Sequence, residues 1–286
     1  MTLPTVDTVV TYPAGATEGA ATVLHVEPAN DLFAVLLDTT PVHPVDLGWP
    51  DQLADRASLE WNGGSAEIID CVVAATEGTQ LFVGDAIPVR KGTEGWIFTV
   101  AHLVEKAPPV GIVVTAEVDQ KARRAVSIGH TGCHLASLAL NRAMADRWSK
   151  QVELDALGAP NFDALANDTS SILEYGSHDT YRLGKSLRKK GFRTEGLSDD
   201  LAQVENMINA TLTEWVSNKT PVRIDREGER LTDRRYWVCA LPEGEARIPC
   251  GGTHASNLGE LKGLTARLSL EDNDGTPVLI METTSD

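Results

Sequence analysis

Over the first third of the chain, apolar positions fall in short blocks of β-branched and aromatic residues, each closed by turn formers. Residues 21–27 (ATVLHVE), 32–37 (LFAVLL), 65–73 (SAEIIDCVV), 80–83 (QLFV), 95–100 (GWIFTV) and 110–115 (VGIVVT) are too short for stable helices and read as strands. Asn62-Gly63-Gly64, Glu77-Gly78 and Pro108-Pro109 punctuate them. Short strands joined by tight turns predict a small antiparallel β-barrel or sandwich over residues 1–115, and no alternating βα units; the barrel is the form adopted for the first domain. After Val118 the period changes. Asp119 caps a short helix to Val126, Gly129 breaks it, and a long helix runs on to Trp148, with His130, His134, Leu138, Asn141, Ala145 and Trp148 recurring at three- and four-residue steps. Residues 150–180 show turns at Gly158-Ala-Pro160 and Asn167-Asp168, and an edge element at 171–174. Leu201, Val204, Ile208, Leu212 and Trp215 form a second helical stripe, capped by Ser198 or Asp199. Strands follow at 221–224, 236–241, 264–270 and 277–281. Residues 116–286 therefore read as an α+β domain with helices packed on an antiparallel sheet.

The chain has 286 residues, 42% of them hydrophobic, enough for a substantial core. No segment approaches the roughly 20 apolar residues that cross a bilayer, so no membrane association is expected. The start lacks the basic and apolar blocks of a secretory signal. Four widely spaced cysteines, Cys71, Cys133, Cys239 and Cys250, suit reduced thiols and a cytoplasmic location. The formal net charge of −16 weighs against nucleic-acid binding, which needs a basic footprint. One segment reverses that balance locally. Between Tyr181 and Arg193 there are six basic residues and no acidic one. Arg182, Lys185, Arg188, Lys189 and Arg193 are the candidates for phosphate contacts, against the plainer alternative of a solvated helix face. Arg235, in a second arginine-rich patch, is a further candidate, or an ordinary surface arginine beside a strand.

Chemistry concentrates at two short motifs. His130 and His134 stand one helical turn apart, so both rings can face one ion. Thr131 takes the place where an HExxH protease motif has glutamate, which removes that reading. Far downstream, Cys250-Gly251-Gly252-Thr253-His254 presents a thiolate and a third imidazole on a glycine turn. His130, His134, Cys250 and His254 together match the ligand number and softness that zinc prefers. Cys133 points away from both histidines by helical periodicity and reads as a packing residue, as does Cys239 in its apolar strand. His25, His43, His102 and His178 have no ligand partner at diagnostic spacing.

HTGCH followed by CGGTH resembles the paired HxxxH and CxxxH motifs of the editing domain of alanyl-tRNA synthetase and its free-standing relatives, the alanyl-tRNA editing proteins. The resemblance takes in 118–123 (VDQKAR) and 235–238 (RYWV), and covers about residues 110–275. It implies an N-terminal β-barrel, an α+β editing domain, and zinc held by His130, His134, Cys250 and His254. The implied reaction is hydrolysis of the ester joining serine, sometimes glycine, to tRNA for alanine, with the aminoacylated acceptor end as partner. The family's glycine-rich stretch is altered here. Residues 38–51 keep Thr40, Pro44, Gly48 and Pro50 but lack the triple glycine and glutamine, which opens the choice of substrate.

Zinc can polarise the scissile carbonyl, orient the substrate or activate water, and the turn at Gly251 and Gly252 can offer donors to a developing oxyanion. Thr253 lies inside the second motif and Glu260 is an acid near it; neither is marked as a base by its context. Two other readings remain open: hydrolysis of a different aminoacyl ester or amide, and a noncatalytic zinc-stabilised protein that binds RNA.

Overall fold

The computed structural model describes residues 3–46, 48 and 50–286. Two compact units emerge. One gathers Met1–Arg123, Ile224–Tyr236 and Pro249–Thr253, the other Arg124–Arg223, Trp237–Ile248 and His254–Asp286.

In the first unit the strands are β1 (Val9–Val10), β2 (Glu18–Ala29), β3 (Leu32–Leu37), β4 (Thr39–Thr40), β5 (Ala57–Trp61), β6 (Gly64–Thr76), β7 (Leu81–Val83), β8 (Ile97–Val104) and β9 (Val113–Val118). The expectation of a small antiparallel β-barrel is corrected: the largest sheet does not close into one. Seven of the strands form an antiparallel sheet in the order β5-β9-β2-β3-β8-β6-β7, with β5 also paired to β6, and β1 and β4 pair separately in parallel. The reason lies in β6, which spans 13 residues and changes neighbours along its length. Its first part pairs with β5, its second with β8 and β7, and the β8 register shifts between Ile68 and Asp70. The three-residue β7 is left as an edge. Val23, Val35, Leu37, Leu59, Val73, Phe98 and Val100 fill the core. At its margin the buried Arg123 donates to Asp55, to the Pro41 carbonyl at 2.8 Å and to the Ala16 carbonyl at 3.3 Å, while Asp55 also accepts from the His43 N–H at 2.5 Å. One ion pair thereby ties the 41–55 loop to the chain entering the long helix.

The other elements are α1 (Gln120–Ala143), α2 (Phe162–Ala166), β10 (Asn167–Leu173), β11 (Gly176–Arg182), α3 (Lys185–Lys189), α4 (Leu197–Ser217), β12 (Val222–Arg226), β13 (Arg235–Leu241), β14 (Gly244–Pro249), β15 (Thr265–Asn273) and β16 (Thr276–Thr284). The sheets run β10-β11-β16-β15 and β12-β13-β14. Asp119 caps α1 as expected, accepting from the N–H groups of Lys121 and Ala122 at 2.9 and 3.0 Å. The expected break at Gly129 is absent, because that glycine is required by packing. A Cβ there would lie 2.5 Å from the Gly176 carbonyl oxygen and closer still to that of Leu173. The β10–β11 hairpin crosses α1 backbone to backbone, and Tyr175 N–H donates to the Ala125 carbonyl at 2.9 Å.

Helix α4 begins four residues before the expected Leu201, after Gly196 at φ 71°, so Ser198 and Asp199 sit in its first turn instead of capping it. Val204, Ile208, Leu212 and Trp215 are buried as their spacing predicts. Asn209 accepts from Ala266 N–H at 2.7 Å and donates to its carbonyl at 2.8 Å, and Glu205 accepts from Leu268 N–H at 2.7 Å. Side chains of α4 thus satisfy the outer edge of β15, a position that otherwise invites further strand pairing. No described helix is long and apolar enough to cross a membrane.

Candidate metal centre

Helix α1 carries His130 and His134 on one face with ring centroids 5.0 Å apart. The His254 ring lies 4.4 Å from that of His130 and 5.2 Å from that of His134. One ligand atom from each of His130, His134, Cys250 and His254 falls in a group spanning no more than 4.8 Å. The backbone after His254 is stitched to the helix: Ala255 N–H reaches the Ser127 carbonyl at 3.2 Å and the Thr131 hydroxyl at 3.0 Å, and that hydroxyl donates to Ser127 at 2.9 Å. Thr131, whose presence rules out a protease motif, here fixes the approach of the third imidazole.

The donor set fits zinc, with three nitrogens and one sulfur. His134 Nε2 is buried and has no hydrogen-bond partner, an arrangement that is costly unless an ion or ligand satisfies it. Burial lowers the His134 pKa to about 4, so its ring is neutral near pH 7, as a metal ligand requires. Burial pushes the Cys250 thiol up to about 12, opposed by the Gly252 and Gly251 N–H groups that face it. These two amides organise the sulfur, while open space surrounds the missing side chain of Gly251.

Thr253 is held from outside the motif. Its N–H donates to Gln52 Oε1 at 3.0 Å and its hydroxyl accepts from Gln52 Nε2 at 2.9 Å. Gln52 lies one residue beyond the altered 38–51 stretch, within which Leu47 and Trp49 fall outside the described residues. Glu260 accepts from both the N–H and the hydroxyl of Ser256, at 3.0 and 2.8 Å, and pairs with Arg124 at 3.2 Å. It closes the loop after His254 and is not an unengaged base. Trp237 is buried with its ring 5.2 Å from that of His134 and its indole N–H without a partner. Neither Gln52 nor Trp237 stands in a diagnostic spacing, because the role of each depends on neighbours distant in sequence.

Cys133 is buried as expected, with Sγ 3.6 Å from Asp179 Oδ1, and burial raises its pKa well above the ordinary thiol value. Cys239 is also buried, and all four cysteines are free. The basic run is on the surface. Leu187 anchors α3 while Arg182, Lys185, Arg188 and Lys189 are exposed, and no described carboxylate pairs with them. Arg193 donates to the Asp146 carbonyl. Arg235 is not a surface arginine; only 6% of it is exposed.

No protein-family model matches the chain. It is similar to alanine–tRNA ligases: 31% identical over 257 residues to that of Frankia alni, covering 86% of this chain and 23% of the ligase. Identity is 25% over 241 residues to the Caldicellulosiruptor saccharolyticus enzyme, covering 81% and 22%. It is 27% over 229 residues to the chloroplastic/mitochondrial enzyme of Sorghum bicolor, covering 80% and 20%. The chain thus spans about a fifth of the length of the curated relatives it matches.

Proposed function

We propose that the chain is a zinc-dependent hydrolase of the ester joining an amino acid to the 3′ end of tRNA, with mis-serylated tRNA for alanine as its substrate. The convergence of His130, His134, Cys250 and His254 carries this reading. Similarity to alanine–tRNA ligases over about four-fifths of the chain supports an aminoacyl-tRNA as the substrate.

The three imidazoles and the Cys250 thiolate would hold zinc, which when bound supplies Lewis-acid polarisation of the ester carbonyl. The chain's own residues do the rest. Thr131 and Gln52 hold the two ends of the 253–255 segment so that His254 meets the helical pair. Gly251 leaves room for the aminoacyl group beside the ligands, and the Trp237 indole N–H is a donor for that group. With Glu260 engaged by Ser256 and Arg124, the substrate's own amine is the group left to take the proton that the attacking water gives up. Arg182, Lys185, Arg188, Lys189 and Arg193 supply the phosphate contacts that an acidic chain otherwise lacks.

The test is deacylation of seryl-, glycyl- and alanyl-tRNA for alanine by the zinc-loaded protein beside its His254→Ala variant. Selective loss of the seryl ester, abolished in the variant, is expected; no turnover of any of the three by folded, zinc-replete protein refutes the proposal. Reversing the charge of Arg182, Arg188 and Lys189 should weaken tRNA binding and flatten its salt dependence. The net charge of −16 favours a second reading, a small aminoacyl ester or amide as substrate. Turnover of such an ester with no measurable tRNA affinity would establish it.

A further inference from the structure

Arg235, the first residue of β13, is a buried cation without a counter-ion. Its Nη2 donates to the Arg230 carbonyl at 2.6 Å, its Nε is buried with no partner, and no described carboxylate lies within ion-pair distance. The two carboxylates whose fields reach the adjacent Tyr12 are already matched: Asp55 by Arg123 and Asp46 by Lys91. Stranding a guanidinium in this way is costly, and a chain with a net charge of −16 does not lack carboxylates to neutralise it.

The guanidinium carbon stands 5.7 Å from the centre of the Tyr12 ring, and the His43 ring meets that ring edge-on at 5.0 Å. Tyr12 and His43 are each 4% exposed. His43 Nδ1 is buried without a partner, and the Tyr12 hydroxyl has none among the described residues. Burial holds the phenol protonated, its pKa near 12, with the Arg235 charge pulling the other way. The other His43 nitrogen faces the Leu53 carbonyl, which leaves Nδ1 of the neutral ring as an acceptor. The cluster therefore presents a cation with one buried N–H unpaired, a phenol donor with no protein partner among the described residues, and an unpaired buried acceptor. It is also coupled to the metal-ligand turn, because Cys250 N–H donates to the Arg235 carbonyl at 3.1 Å.

We infer that Arg235, Tyr12 and His43 form a subsite for a nucleotide-type ligand, with the guanidinium and phenol taking a phosphate oxygen and His43 Nδ1 accepting from a neighbouring hydroxyl. A water molecule could satisfy one N–H but would leave the charge unmatched; an oxyanion answers both requirements. Assigning that phosphate to the terminal nucleotide of an acylated RNA rests on the function proposed above. The subsite itself does not.

Titration calorimetry of the zinc-loaded full chain with adenosine 5′-monophosphate, adenosine and inorganic phosphate tests it. The monophosphate should bind at least ~10-fold more tightly than adenosine, and Arg235→Gln should remove that advantage. Tyr12→Phe keeps the ring under the guanidinium and loses only the donor; it should weaken monophosphate binding several-fold, and it decides the matter if Arg235→Gln does not fold. Inorganic phosphate binding as tightly as the nucleotide, with the same dependence on Arg235, supports the oxyanion subsite and overturns its nucleotide assignment. Monophosphate affinity unchanged within 2-fold in both variants overturns the subsite. Deacylation separates the two proposals. Arg235-dependent nucleotide binding without turnover removes the enzymatic reading alone, whereas turnover whose KM is untouched by Tyr12→Phe removes the subsite alone.

Discussion

Replacing Gly129 by alanine sets two physical effects against each other at a residue adjacent to His130 of the candidate metal centre. Within an isolated helix the exchange is favourable by about 1 kcal/mol, because alanine loses less backbone entropy than glycine. In the folded protein the added methyl meets backbone. It would stand 2.5 Å from the Gly176 carbonyl oxygen and 2.8 Å from the Gly176 nitrogen, with the Leu173 carbonyl nearer still. Carbon reaches its favourable separation at about 3.5 Å, so the helix or the hairpin must move by on the order of 1 Å. No side-chain rotation can relieve an overlap with main chain. Gly176 is itself confined, since a Cβ there would collide with the Thr283 carbonyl of β16. The hairpin is therefore packed from behind and cannot retreat cheaply.

Overpacking of this kind costs about 1–3 kcal/mol, at its upper end where the obstacle is backbone. Gly129→Ala should accordingly lower stability by about 2 kcal/mol despite its better helix propensity. The second consequence concerns the metal. A displaced α1 carries His130 away from His254, and coordination tolerates only about 0.2 Å. Zinc affinity should fall roughly 10–100-fold, the range seen when ligand-supporting groups are lost. Urea denaturation of the apo protein measures the first effect, and competition with a chelating dye the second. A variant as stable as the wild type that also binds zinc equally well would refute the argued helix–hairpin crossing.

His102 gives a pH prediction. Its Nδ1–H donates to the Val35 carbonyl at 3.0 Å, so Nε2 accepts from the Thr40 hydroxyl at 2.9 Å, and burial lowers its pKa to about 4. The unfolded chain then binds the proton more tightly between about pH 4 and 6.5. Stability should rise with pH across that window by about 3 kcal/mol and be fully present above it. Because His43 and His134 titrate in the same direction, the check is the difference between wild type and His102→Asn in urea denaturation at pH 4.5 and 7.5; an identical pH dependence in the two proteins contradicts the prediction. Gln52→Ala removes both bonds to Thr253 and should cost about 1–3 kcal/mol and weaken zinc binding, while Gln52→Glu, which keeps the acceptor, should fall between. Unaltered zinc affinity in Gln52→Ala would mean that the turn holds its shape without this glutamine.

What was legible in the chain was whatever depends on near neighbours. The i,i+4 histidine pair, the Cys-Gly-Gly-Thr-His turn, the Asp119 cap and the apolar stripe of α4 all state their geometry within a few residues, and each is where its spacing predicts. The seven-stranded sheet was harder to read than its strands, because pairing depends on how the 13-residue β6 divides its length between partners. Strand β11 carried no apolar alternation at all. Its inward residues are Ser177, Asp179 and Tyr181, and they are buried because Asp179 accepts from Ser170 and Ser177 while Tyr181 donates to Asp163.

The helix break expected at Gly129 and the surface alternative for Arg235 fail for a related reason. A glycine within a helical pattern looks like a break, and an arginine at the start of a strand looks like a surface residue, whenever only neighbouring residues are considered. Both are settled by main chain or rings far along the sequence: Leu173 and Gly176 for the glycine, Tyr12 for the arginine. The same holds for Gln52, whose partner is 201 residues away. Residues that violate a local rule therefore cluster around the ligand set, Gly129 next to His130, Gln52 on Thr253 and Arg235 on Cys250. A metal centre assembled from two distant motifs needs close backbone approach and buried polar anchors to fix their separation, and those demands overrule local preference where they fall. Substitutions that restore local preference at these positions should thus disturb ligand geometry more than comparable changes in the outer strands, which is the pattern that Gly129→Ala and Gln52→Ala together put to measurement.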